Sequence, residues 1–213
     1  MSKNTSVKIK RALLSVSDKS GITELAKSLE NGGVEIISTG GTLKHLTDAG
    51  LKVKEVSAFT GSPEMMEGRV KTLHPKIHAG ILSRREKDLD EVKENFIEEI
   101  DLVVINLYPF EETVKKKVSL EETIENIDIG GPTIIRAAAK NFYYVTVLSS
   151  PEDYPDFTGE FSKDNEVSYK TRSELARKAF DKISKSDLAI SKYFSPNRKE
   201  NFPDLIFDKY KKI

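Results

Sequence analysis

The chain of 213 residues contains no cysteine and no tryptophan, and its formal net charge is zero. The absence of cysteine excludes disulfide scaffolds, iron–sulfur clusters, thiolate-bound zinc and thiol nucleophiles. The 34 basic and 34 acidic side chains argue against a broad nucleic-acid surface, which requires a net basic face. The longest apolar runs, such as residues 100–107, are too short to span a bilayer, and no secretory hydrophobic segment is recognisable. We therefore expect a cytoplasmic globular protein that binds neither membranes nor nucleic acid.

Short runs of aliphatic residues alternate with helical patterns through the first 150 residues. This alternation predicts an open, mostly parallel α/β sheet with right-handed crossovers. The apolar run at 101–107 is typical of a strand that is covered on both faces of such a sheet. We expect strands at 11–17, 34–38, 52–56, 101–107 and 144–148, and helices at 21–31, 42–49, 121–127 and 132–140.

Two further segments depart from the alternation. Residues 58–82 carry Gly61, Pro63, Gly68 and Pro75 and predict one long loop, which in a compact domain is usually functional. Residues 168–193 show one long helical pattern, which we expect to pack on the sheet or against a second subunit.

Two hydroxyl-rich segments, SVSDKSG (15–21) and STGGT (38–42), follow the first two predicted strands. Both fall at the carboxyl edge of the sheet, where open α/β folds bind ligands. Hydroxyls, a lysine and free N–H groups at a helix start bind anions. Alone, the first segment is explained more simply by Asp18 or Ser20 capping a helix, and the second by a tight turn. Together they favour a phosphorylated small molecule, since neither is a Walker A or dinucleotide pattern.

The predicted loop 58–82 contains two cations, Arg69 and Lys71, that can face either an anionic substrate or solvent. His74 and His78 are four residues apart, as in some helical metal sites. A metal is nevertheless disfavoured, because Pro75 lies between them and no HExxH pattern is present. We expect no metal site.

Three polar positions near other predicted element ends are also candidates. Asn106 and Tyr108 end the 101–107 strand, although Tyr108 can equally fill the rim of the core. Asp128 precedes the helix at 132–140 and can either cap it or orient a substrate amide. Lys140 ends the same helix, where a lysine commonly balances the helix dipole.

The segments LLSVSDKSG, ISTGGT, GSPEMMEGRVKTLHPKIHAGIL, NLYPFEETV, IDIGGPTIIRAAAKN and SPEDY, in this order, resemble one family closely. They are similar to the inosine monophosphate (IMP) cyclohydrolase domain of bifunctional purine-biosynthesis proteins. The resemblance runs from about residue 11 to 154, with the helical extension continuing to about 194.

The resemblance implies a methylglyoxal-synthase-like, doubly wound, mostly parallel open sheet with flanking helices and a C-terminal helical extension. We expect a single domain over 1–213, with a core at about 8–155, an extension at about 165–195 and a tail at 196–213. We expect no folate-dependent transformylase domain, the second domain of the family, within these residues. The family also implies a homodimer.

The implied reaction closes the purine ring of a formamido-imidazole-carboxamide ribotide (FAICAR) to give IMP and water, without a metal or redox cofactor. The resemblance assigns the substrate phosphate to Ser17, Asp18, Lys19, Thr39, Gly40, Gly41 and Thr42. It places Arg69, Val70 and Thr72 at the border of the same pocket. It assigns transition-state stabilisation to Lys71, proton transfer to Lys140, help for the developing oxyanion to Tyr108, and orientation of the carboxamide and ring to Asp128 with Asn106, Leu107 and Ile129.

Two alternatives use the same fold. Phosphate elimination, as in methylglyoxal synthase, leaves Lys71 and the segment 137–141 unexplained. A non-catalytic regulatory module would bind IMP without converting the formylated precursor. Fold alone does not separate these functions.

Overall fold

The computed structural model describes residues 5–108, 110–116 and 118–195, apart from the side chain of Glu67. Among these residues, no helix is long and apolar enough to cross a membrane. The strands are β1 (Val7–Lys8), β2 (Arg11–Leu14), β3 (Glu35–Ser38), β4 (Val53–Glu55), β5 (Leu102–Val104), β6 (Thr146–Leu148) and β7 (Glu166–Val167).

Ten α-helices connect or cover these strands within the described ranges. They are α1 (Ile22–Asn31), α2 (Gly40–Asp48), α3 (Val56–Thr60), α4 (Pro75–Leu82), α5 (Leu89–Glu94), α6 (Phe110–Lys115), α7 (Leu120–Glu125), α8 (Gly130–Lys140), α9 (Tyr154–Asp164) and α10 (Tyr169–Tyr193).

Five strands form a parallel sheet in the order β4-β3-β2-β5-β6, and β1 pairs antiparallel with β7. From β2 the chain proceeds outward through β3 to β4, and it then crosses back to β5 and β6 on the other side. The sheet is therefore doubly wound, as predicted. Its switch point lies between β2 and β5, where folds of this kind open a crevice at the carboxyl edge.

Alternate residues of each strand pack into separate cores on the two faces. Leu14 joins the side chains of α1 and α9 on one face, and Leu13 joins those of α4 and α8 on the other. The helix α10 contacts β6 and α8, so the long C-terminal helix packs back on the sheet. Both faces are covered, which explains why residues 102–104 are all buried.

The five predicted strands and the helix at 168–193 are confirmed, but several strands are shorter than predicted. Ser15 N and Ile105 N still donate to the neighbouring strands, and residues 16–17 and 106–107 form loops at the carboxyl edge. The expectation of one loop over 58–82 is wrong, because this segment includes part of α3 and all of α4. Pro75 occupies the first position of α4, where no N–H is needed, and His74 caps the helix through Nδ1, which accepts from Lys76 N at 3.1 Å. The predicted tail at 196–213 lies outside the described residues.

Candidate active site

The loops that follow β2 and β5 are joined across the switch point by one amide side chain. Asn106 Oδ1 accepts hydrogen bonds from Ser17 N at 2.6 Å and Asp18 N at 3.0 Å. Asn106 Nδ2 donates to Asp18 O at 2.7 Å. Asn106 is buried, so these partly buried bonds are shielded from water on the side of the amide. The loop at Ser17–Asp18 is thereby held in one conformation.

The start of α1 has no side-chain cap. Its N-cap residue is Gly21, and the carboxylate of Asp18 accepts instead from Ser20 N at 2.9 Å and Ser20 Oγ at 2.6 Å. These hydrogen bonds lower the pKa of Asp18, with the charges of Lys182 and Lys19 contributing less. The alternative that Asp18 or Ser20 caps this helix is therefore wrong.

The second hydroxyl-rich segment forms the start of α2 beside this loop. Thr42 Oγ1 accepts from Val16 N at 2.9 Å and donates to Val16 O at 3.0 Å, which ties the two segments together. The hydroxyl of Thr42 is thus occupied within the fold. Its backbone N–H remains the group suited to a ligand at this helix start.

Two lysines lie against the glycine pair at the start of α2. A Cβ placed on Gly40 would lie 3.4 Å from Lys71 Nζ, and one on Gly41 would lie 3.7 Å from Lys19 Nζ. Gly40 also has a φ of 54°, which other residues adopt at a cost. The glycine pair therefore lets the two ammonium groups approach the helix start closely, and this concentrates positive charge at a site suited to an anion.

Lys71 also contacts a carboxylate that no sequence motif singles out. Lys71 Nζ lies 2.7 Å from Glu64 Oε2. A Cβ on Gly68 would come within 2.6 Å of Glu64 Oε1, so Gly68 provides the space for this pair. Glu64 reaches Lys71 through a turn of the loop at 61–74. The sequence spacing of the two residues does not reveal that contact.

The start of α8 forms the other wall of the site. Asp128 Oδ1 accepts from Gly131 N at 2.9 Å, so the predicted capping role is present. Burial raises the pKa of Asp128, while the backbone N–H groups of Gly131 and Gly130 oppose the rise. A Cβ placed on Gly130 would lie 3.0 Å from Thr72 Oγ1, and one on Gly131 would lie 3.2 Å from Leu107 Cδ2. Thr72 follows Lys71 directly, so the two walls are continuous.

Several predicted residues lie at the rim. Tyr108 and Ile129 are more than half exposed. Arg69 is exposed and forms a bidentate ion pair with Glu125 of α7. Val70 pairs with Met65 in an isolated antiparallel bridge that closes the loop.

Lys140 is separated from the other predicted site residues. It is exposed at the last position of α8, about 15 Å along the helix axis from Gly130 at a rise of 1.5 Å per residue. The next residue, Asn141, is bound to the end of α4, since its Nδ2 donates to Ile81 O at 2.7 Å and Ser83 O at 3.0 Å. Within one chain, Lys140 therefore lies towards the opposite edge of the sheet from Asp128.

A doubly wound parallel sheet with hydroxyl-rich turns, two lysines and helix starts at its switch point defines an α/β domain of the open, ligand-binding type, with positive charge concentrated at its crevice. Residues 21–133 match the family model of the MGS-like domain, and residues 138–213 match that of the AICARFT/IMPCHase bienzyme. The chain belongs to the MGS-like domain family.

Named relatives and one solved structure resemble this chain over most of its length. The bifunctional purine biosynthesis proteins PurH of Acetivibrio thermocellus and Ruminiclostridium cellulolyticum are 53% and 52% identical over 209 and 208 residues. These alignments cover 96% of this chain but only 41% and 40% of the relatives, so the chain spans about two fifths of their length. The crystal structure of ForH is 36% identical with a TM-score of 0.75, and the match covers 88% of this chain and 99% of ForH.

Proposed function

We propose that this chain is an IMP cyclohydrolase domain that closes the purine ring of FAICAR and releases water. The observation that carries the proposal is the placement of Lys71. Its ammonium group lies beside the phosphate-type turn at Gly40, and the next residue, Thr72, lies against Gly130 at the start of α8, two residues after Asp128. One ligand with a phosphate at one end and a carboxamide at the other matches this arrangement.

The ring closure joins the carboxamide nitrogen to the formyl carbon. Both groups belong to the same molecule, so proximity is supplied by the substrate and the protein has to fix its orientation. The carboxamide nitrogen loses one proton and the formamido nitrogen loses another. The formyl oxygen gains negative charge, takes up both protons and leaves as water. The protein therefore has to supply a proton acceptor and a fixed positive charge.

Lys71 and Asp128 have the properties that these two roles require. Lys71 supplies an ammonium group to the developing oxyanion. Asp128 Oδ1 accepts from Gly131 N at 2.9 Å, which fixes the orientation of the carboxylate that we assign to the carboxamide. Because burial raises the pKa of Asp128, its carboxylate is a stronger base than that of a solvated aspartate. Tyr108, at the rim, is assigned to the same oxyanion.

The assignment of proton transfer to Lys140 rests on the family resemblance. Its position at the far end of α8 does not support a direct role on a ligand held by Asp128 of the same chain. Loss of turnover in Lys140→Met with unchanged substrate affinity would support the assignment. Unchanged turnover would remove Lys140 from the site. The homodimer and the cytoplasmic location likewise remain predictions.

Ultraviolet absorbance of the purified chain mixed with FAICAR, without folate and with a chelator, tests the proposal directly. We expect conversion to IMP, strongly reduced in Lys71→Met. Tight binding of IMP without conversion would contradict the cyclohydrolase proposal and favour the regulatory module. Release of inorganic phosphate from a triose phosphate would favour the elimination reaction.

A further inference from the structure

The C-terminal helix brings a half-buried lysine to the carboxyl edge of the sheet. Lys182 Nζ donates to Ser149 O at 2.7 Å, one residue beyond the end of β6. The preceding residue, Leu148, accepts a hydrogen bond from Ile105 N at 3.0 Å, and Ile105 precedes Asn106. Two hydrogen bonds and two peptide bonds therefore connect Lys182 to Asn106, whose side chain holds the loop at Ser17–Asp18.

Burial lowers the pKa of Lys182, and the charges of Glu152, Asp153 and Asp18 oppose this effect. The charge of Lys182 in turn helps to lower the pKa of Asp18, after the hydrogen bonds to Ser20. Asp153 is buried and already has an ion-pair partner, because Lys178 Nζ lies 2.7 Å from its Oδ1. Lys182 instead bonds to a neutral carbonyl, so its charge is not matched to a single carboxylate.

Negative charge beside a phosphate site weakens the binding of a phosphate, and a nearby cation that offsets this charge restores it. We propose that Lys182 is a positioning residue of the phosphate site, which fixes the end of β6 to α10 and offsets the charge of Asp18 and Glu152. The helix α10 thereby contributes to affinity for the phosphorylated end of the substrate. This inference rests on the proposed function for the identity of the ligand.

The matched variants are Lys182→Met, Lys182→Arg and Lys170→Met. Arginine keeps the charge and the donor. Lys170 is an exposed lysine of the same helix, about 18 Å away along its axis, so its methionine variant removes the same net charge elsewhere. Calorimetric titration with IMP and with inosine separates the phosphate from the rest of the ligand.

We expect Lys182→Met to weaken IMP binding on the order of tenfold at low salt, to leave inosine binding within about twofold, and to raise the KM for FAICAR more than it lowers kcat. Lys182→Arg should retain most of the wild-type affinity for IMP, and Lys170→Met should bind IMP like the wild type. Added salt should reduce the difference in IMP affinity between the wild type and Lys182→Met. If Lys182→Met does not fold, Lys182→Gln provides the same comparison.

Wild-type affinity for IMP in Lys182→Met would overturn the inference, and so would an equal loss for IMP and inosine. An arginine variant as weak as the methionine variant would also overturn it, since charge would then not be the cause. A wild-type chain that binds IMP without converting FAICAR would contradict the cyclohydrolase proposal alone, because the binding comparison still decides the role of Lys182. A wild-type chain that does not bind IMP would overturn both.

Discussion

Asn106 and Asp18 exchange two hydrogen bonds across the switch point of the sheet. Asp18 N donates to Asn106 Oδ1 at 3.0 Å, and Asn106 Nδ2 donates to Asp18 O at 2.7 Å. The side-chain amide thus pairs with the backbone of Asp18 as a peptide group would, and it connects two loops that are 88 residues apart in sequence. It determines the shape of the proposed phosphate site.

Replacing Asn106 by leucine should therefore affect stability and binding together. Three partly buried hydrogen bonds are lost, and the N–H groups of Ser17 and Asp18 lose their acceptor. We expect the free energy of unfolding to fall by about 2–4 kcal/mol and the KM for FAICAR to rise. Urea unfolding and steady-state kinetics measure both effects. Asn126→Ala, which removes a more exposed amide, is the control; a leucine variant with the stability and KM of the wild type would contradict the role assigned to Asn106.

Asp128 should show opposite effects on stability and activity. Its pKa is raised on folding by burial, so the folded state resists the charged form and loses stability as pH rises through the range between the ordinary value of 3.8 and the folded pKa. Asp128→Asn keeps an acceptor for Gly131 N but carries no charge. We expect this variant to be at least as stable as the wild type at pH 7 and to lose ring closure.

The advantage of Asp128→Asn should shrink below pH 3.8, where the aspartate is protonated in both states. Asp128→Ala, which also removes the cap, should instead lose about 1 kcal/mol. Unfolding measured from pH 3 to 8 distinguishes these cases. If the stability difference between Asp128→Asn and the wild type does not depend on pH, burial of the Asp128 charge is not its cause.

Replacing Lys71 should weaken catalysis, whereas replacing its ion-pair partner Glu64 should improve substrate binding. Lys71→Met removes the ammonium group assigned to the oxyanion and should lower kcat by about 10²–10³-fold. Glu64→Gln removes the competing carboxylate 2.7 Å from Lys71 Nζ and should lower the KM for a phosphorylated substrate several-fold at low salt. Glu91→Gln, an exposed carboxylate on α5, serves as the control. A raised KM in Glu64→Gln would show that Glu64 positions Lys71 rather than competes for it.

Arg172 should be essential for the attachment of α10. Its buried guanidinium donates to Phe142 O at 2.9 Å, to Thr5 O and Tyr143 O at 3.0 Å each, and to Val167 O. Arg172→Met leaves these carbonyls without their donor and should cost at least about 3 kcal/mol in urea unfolding. Arg177→Met, an exposed arginine of the same helix, should cost much less. Comparable losses in the two variants would contradict this role.

The local elements were predictable because they depend on patterns of near neighbours. Alternating apolar runs and helical spacing were sufficient for the doubly wound sheet and for α10. The error over 58–82 arose at Pro75, which suggested a loop although proline is well suited to the first turn of a helix. The predicted capping of α1 by Asp18 was also wrong, because the carboxylate of Asp18 bonds to Ser20, which precedes the helix.

The order of residues along the chain was enough to place hydroxyls, glycines and lysines at the ends of the strands, and therefore at one edge of the sheet. The partners of these side chains became visible in the folded chain. The pairing of Lys71 with Glu64, the occupation of the Thr42 hydroxyl by Val16 and the approach of Lys182 from α10 all join residues that local patterns do not relate. The reason is physical: strand and helix formation follow from local periodicity, whereas these contacts depend on how the packed elements place side chains in space.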